Sequence, residues 1–234
     1  MISPLEHAPK PDVALNVSVA YREGVLADML GTDYEFALSS GLLDWFDIDE
    51  NTGEDALEHI LGGSVRTSEG GGLMPGGFHH EPKTIDKKTY VDRGNIAESN
   101  RKHRKIYREN RYEPYNALSV IRGYRKVEKS TMFPKEYDAL TVMQTIVRAV
   151  DGRDTSKDII ADDGRICTVV KAALVDGQSK MDLRVVINPG NEKIVAAYPI
   201  KVKRNVLGLG HRAISYHDQG AKDQVKINDY LGLS

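Results

Sequence analysis

The sequence predicts an α+β fold in which N-terminal helices are followed by antiparallel β-sheets. Three observations carry that expectation. Apolar residues recur at helical spacing in the first 60 residues, three apolar runs separated by turn signals fill the stretch after residue 165, and strands and helices do not alternate as a doubly wound fold requires. Val17 to Leu30 and Tyr34 to Phe46 read as two helices, parted by Gly31 as a stop and Thr32-Asp33 as a new cap. A third short helix is expected from Thr52, whose hydroxyl can cap while Asp55 reaches back; it carries Ala56, Leu57 and Ile60 beside His59 and stops at Gly62-Gly63. Ser64 to Gly77 holds five glycines and a proline and reads as loop. Asn95 to Arg111 reads as a basic helix halted before Pro114, and Ala117 to Ile121 as a strand turning at Gly123 into a second strand through Lys126. Pro134 opens an amphipathic helix to about Val150. Ile166 to Val175, Met181 to Asn188 and Ile194 to Pro199 form a meander, with turns at Asp176-Gly177 and Pro189-Gly190-Asn191. No internal repeat is present.

With 234 residues, 40% of them hydrophobic, the chain can bury a core of its own. We expect an acidic helical head over 1–50, a main domain over 51–203 and an extension over 204–234. No apolar run approaches the roughly 20 residues of a membrane span, and the N-terminus lacks a basic stretch followed by an apolar one, so a soluble chain without membrane insertion is expected. The single cysteine, Cys167, sits in a strand-like alternation and reads as a core residue. A net charge of −2 hides an asymmetry: residues 1–60 hold two basic side chains against thirteen acidic ones, whereas 83–135 hold fifteen basic against six. A basic middle suits a polyanion, because each neutralised phosphate releases counterions; a solvated helix face explains the same charge.

Two histidines flanking a glycine-rich stretch, a lysine further on and a tyrosine in a late strand suit one chemistry. RNA carries its own nucleophile, the 2′-hydroxyl, so cleavage needs a base for that hydroxyl, an acid for the departing 5′-oxygen and a cation for the phosphorane. Histidines titrate near neutrality and can serve as base and acid at one pH, and lysine supplies fixed charge, with no metal and no cofactor needed.

The segment from His59 to Gly63, the glycines after it, and Gly77-Phe78-His79 resemble the two histidine motifs of EndoU endoribonucleases. The stretch from Lys126 to Pro134 is similar to the family's lysine motif in its bacterial form, and Ile194 to Pro199 resembles its closing strand, with Tyr198 before Pro199. These four motifs, in the family's order, span about Thr52 to Val202. The resemblance implies an EndoU-like catalytic domain that cleaves single-stranded RNA at uridine or another pyrimidine, leaving 2′,3′-cyclic phosphate. It implies His79 as general base, His59 as general acid and Lys126 as the stabilising cation, with Lys129 and His80 as secondary candidates. Ser130, Thr131 and Tyr198 would contact the nucleotide. The chain departs from the family at Ala196, where a threonine is common, which bears on uridine selectivity. The bacterial form of the lysine motif implies a toxin or effector, secreted or delivered to act in a target cell's cytoplasm, whose partners are RNA and an immunity protein.

Two other readings follow from the same residues. His59, His79, His80 and Glu81 could ligate zinc, although their spacing does not put two histidines and a glutamate on one helical face. A non-catalytic RNA- or protein-binding module of the same fold is the other, with Ala196 as its support. Gly70 to Gly77 is a poor phosphate loop, since no Gly-Lys-Ser/Thr follows.

Overall fold

The computed structural model describes residues 24–49, 53–68, 71–81, 88–91, 114–126, 130–173, 180–204 and 211–214. Residues 24–30 form helical turns, α1, that bury Leu26 and Leu30. The second helix, α2, spans Tyr34–Ser39 only. It stops short of Phe46 because Gly41 takes φ +71°, a left-handed conformation that glycine adopts without steric cost, and a single 3₁₀ turn follows at Leu43–Trp45. Phe46 is then extended and bridges Ile194 in parallel, with Asp47 N–H donating to the Ile194 carbonyl at 2.9 Å. Leu42, Leu43, Trp45 and Phe46 thus belong to the same hydrophobic core as the C-terminal strands.

Helix α3 is Ala56–Leu61. Its cap is Asp55, whose carboxylate accepts from the backbone of Leu57 at 2.7 Å and Glu58 at 3.2 Å, so the helix begins later than a Thr52 cap would put it; Thr52 itself lies outside the described residues. The glycine-rich stretch, expected as loop, folds into an antiparallel hairpin of β1 (Ser64–Thr67) and β2 (Leu73–Gly76). The expected single strand Ala117–Ile121 is two, with Leu118 between them. β4 (Tyr115–Ala117) pairs with β7 (Ser130–Met132), while β5 (Ser119–Ile121) pairs with β3 (Tyr90–Val91) and β6 (Tyr124–Arg125). Under these short strands lies a second cluster of Phe78, Val91, Tyr115, Ala117, Ile121 and Met132. The expected helix Asn95–Arg111 falls outside the described residues.

Helix α4 is Ala139–Asp151 and starts five residues after Pro134, because the Asp138 carboxylate captures Thr141 N–H at 2.8 Å and fixes the start there. Val142, Met143, Ile146, Val147 and Val150 line its buried face. That face lies against a five-stranded antiparallel sheet in the order β12-β11-β10-β9-β8, where β8 is Ile159–Ile160, β9 Ile166–Ala173, β10 Lys180–Ile187, β11 Ile194–Arg204 and β12 His211–Ile214. β11 runs past Pro199 to Arg204, and β12, within the expected extension, pairs with it from Lys201 to Arg204. Cys167 is a free, half-buried thiol on β9. Helices and antiparallel sheets therefore make an α+β fold. Among the described residues no helix is long and apolar enough to cross a membrane.

Candidate active site

The site is organised around the backbone at Gly77. This residue takes φ +65°, and a Cβ there would stand 2.0 Å from the His59 carbonyl oxygen and 2.9 Å from its ring, so only glycine fits. The segment after it is stitched to the end of α3: Phe78 N–H donates to His59 O at 2.9 Å and His79 N–H to Ile60 O at 2.8 Å, satisfying carbonyls that a helix end leaves open. Phe78 takes φ +61°, uncommon for a bulky residue, and is wholly buried in the second cluster, which holds it there.

His59 projects from α3 with its ring against Gly76 and Gly77 and its side chain 16% exposed. Its Nδ1 lies 3.1 Å from Glu54 Oε1 and 2.7 Å from Ser64 Oγ, and Ser64 Oγ donates to the same Glu54 oxygen at 2.5 Å. Arg66, beside Ser64 on β1, ion-pairs with the other Glu54 oxygen. Burial alone pushes the Glu54 carboxyl up, but hydrogen bonds from His59, Arg66 and Ser64 outweigh it and hold it at about 2. Glu58 behaves oppositely: burial raises its pKa although Arg122, from the basic middle, is ion-paired with it. A pocket of about 240 Å³ opens beside His59, bounded by Glu54, Arg66, Asp49, Arg165 and Asn188.

His79 is buried, its Nδ1 2.7 Å from the Thr131 carbonyl and its ring stacked on Tyr198 at 5.0 Å between centroids and 17° between planes. His80 turns away, its Nε2 3.1 Å from the Tyr137 carbonyl. Lys126, a residue whose chain position suggests a solvated strand end, is buried; its Nζ donates to Gly77 O at 3.2 Å and to Ser130 Oγ at 2.6 Å. Ser130 and Thr131 are both buried on β7, and Thr131 meets His79 through its carbonyl. Tyr198 stands on β11 opposite Arg184 of β10, and Ala196 occupies the same face of β11 two residues earlier. The structure thus brings together His59, His79, Lys126, Ser130, the Thr131 backbone and Tyr198. Lys129 lies outside the described residues.

The residues considered for zinc do not converge. His59 Nδ1, His79 Nδ1 and His80 Nε2 face separate protein partners, Glu81 accepts from the Tyr115 hydroxyl, and among the described residues no three His, Cys, Asp or Glu side chains are grouped to hold a metal ion.

A family model described as Bacterial EndoU nuclease matches residues 53–201, more than half of the chain. The chain belongs to this family. No curated protein and no solved structure matches it. The EndoU match begins ahead of α3 and ends inside β11, so it takes in each of the site residues named above. Membership makes the chain a nuclease by family. What sequence reasoning missed in this EndoU site is Glu54 with Ser64 and Arg66. The available signal was weak: Glu54 and Ser64 each stand five residues from His59, a spacing that matches neither a helical turn nor strand alternation.

Proposed function

We propose that this EndoU nuclease is a metal-independent endoribonuclease that cleaves single-stranded RNA after uridine or another pyrimidine. The observation that supports it best is the meeting of His59 and Lys126 on Gly77, from opposite elements and two residues ahead of His79. His79 donates from Nδ1 to the Thr131 carbonyl, which can only accept, so its Nε2 lone pair is the base for the ribose 2′-hydroxyl. The 2′-oxygen attacks phosphorus, the bond to the 5′-oxygen breaks, and His59 protonates that oxygen. The products are a 2′,3′-cyclic phosphate and a 5′-hydroxyl, with His79 left protonated and His59 neutral. The Lys126 ammonium stabilises the extra charge of the phosphorane in a site sheltered from water, where such a charge acts strongly. Ser130 and Tyr198 contact the base, and Ala196 leaves that contact without a threonine hydroxyl. On the same reading the chain acts as a bacterial toxin or effector domain restrained by an immunity protein.

A short mixed-sequence RNA incubated with the protein in excess chelator, with fragment ends read by mass spectrometry, tests the reaction. We expect cyclic-phosphate ends after pyrimidines and a loss of about 10³-fold in both His59→Ala and His79→Ala. Intact RNA that still binds in a salt-sensitive manner would make the chain a binding module, and cleavage only on restoring metal would overturn the mechanism.

A further inference from the structure

We infer that Glu54 is a positioning residue for His59, holding its ring so that Nδ1 keeps a proton and Nε2 alone exchanges one with the leaving oxygen. This rests on the reading of His59 as the general acid. The hydrogen-bond donors decide it. A carboxylate cannot donate, and the one proton of Ser64 is engaged on Glu54 Oε1 at 2.5 Å, so the 2.7 Å contact between Ser64 Oγ and His59 Nδ1 requires Nδ1–H as donor. The same N–H also reaches Glu54 Oε1 at 3.1 Å. Glu54 is fixed in turn by Arg66 on its second oxygen, so the carboxylate is anchored from the hairpin while the histidine comes from the helix.

The other charged groups around this pair do not duplicate Glu54. Asp55 caps α3, Glu58 pairs with Arg122, and Asp47 receives the side-chain amides of Asn188 and Asn191. Asp49 and Arg165 share the pocket walls with Glu54 and His59. Glu54 stays ionised through the working pH range, its carboxyl held at about 2, so it never takes the proton itself. A fixed acceptor behind Nδ1 holds the ring in one tautomer for every turnover.

Glu54→Gln keeps the shape and removes the charge. On a uridine-containing oligonucleotide it is expected to lower kcat on the order of a hundredfold at unchanged KM. A merely structural glutamate does not move kcat apart from KM. Wild-type kcat in Glu54→Gln, alongside an inactive His59→Ala, would overturn the positioning role and leave the mechanism standing. An active His59→Ala would instead remove the acid assignment on which the role depends. Should Glu54→Gln lose its cooperative melt, imidazole-nitrogen NMR of the wild-type protein decides: a neutral His59 protonated at Nδ1 is expected, and the Nε2–H tautomer would overturn the inference.

Discussion

His59 and His79 sit at the two ends of one backbone segment yet live in opposite surroundings. His59 stands at the cleft edge with a carboxylate and a hydroxyl behind Nδ1, whereas His79 is buried with a neutral carbonyl behind Nδ1 and a tyrosine ring on its face. Identical side chains thus meet different partners at Nδ1, a carboxylate and a hydroxyl in one case and a backbone carbonyl in the other, and the proposed reaction gives the first the acid role and the second the base role.

The largest way to break this contrast is at the segment both histidines share. Gly77→Ala puts a Cβ into the His59 carbonyl at a left-handed φ and is expected to cost at least about 3 kcal/mol, read as a lowered melting temperature with cleavage lost. A wild-type melt would mean that the two histidines are held independently.

Acid stability sharpens the contrast next. Glu54 has its folded carboxyl depressed from 4.5 to about 2, so its contribution is complete above about pH 4.5 and is lost as pH falls toward 2. That loss is at most about 3 kcal/mol. Denaturant titrations at about pH 5 and about pH 2.5 should show a steeper fall for wild type than for Glu54→Gln. Equal falls would place the charge of Glu54 outside the fold's energetics.

The smallest effect belongs to the other histidine. Tyr198→Leu keeps bulk and removes the stack, worth about 1 kcal/mol, and is expected to lower kcat several-fold while leaving the Nδ1–H tautomer of His59, read by imidazole-nitrogen NMR, in place. A change in that tautomer would show that the two surroundings are coupled.

The strands of the C-terminal sheet were legible to within a residue or two at their starts, at Ile166, Met181 and Ile194, because local alternation and the Pro189-Gly190-Asn191 turn define them. Boundaries that depend on competition between local signals were not. Pro134 suits a first helical turn, but the Asp138 side chain fixes the start of α4, and the glycines after Ser64 concealed a hairpin whose register is set by pairing, not composition. In the site, His59, His79, Lys126, Ser130 and Tyr198 could be chosen because they carry motif identities. Burial of Lys126 and the hold of Glu54 on His59 could not, since both are produced by elements meeting from distant parts of the chain.

The bridge between Phe46 and Ile194, with Asp47 receiving amides from Asn188 and Asn191, ties the front of the fold to its last strands. A ribosome delivers these in sequence, so both histidines have left the exit tunnel well before β11, with Tyr198, is made. Nascent chains therefore carry both histidines without the strand that brings Tyr198 onto His79, and on the proposed mechanism the translating cell meets an assembled site only once that strand docks.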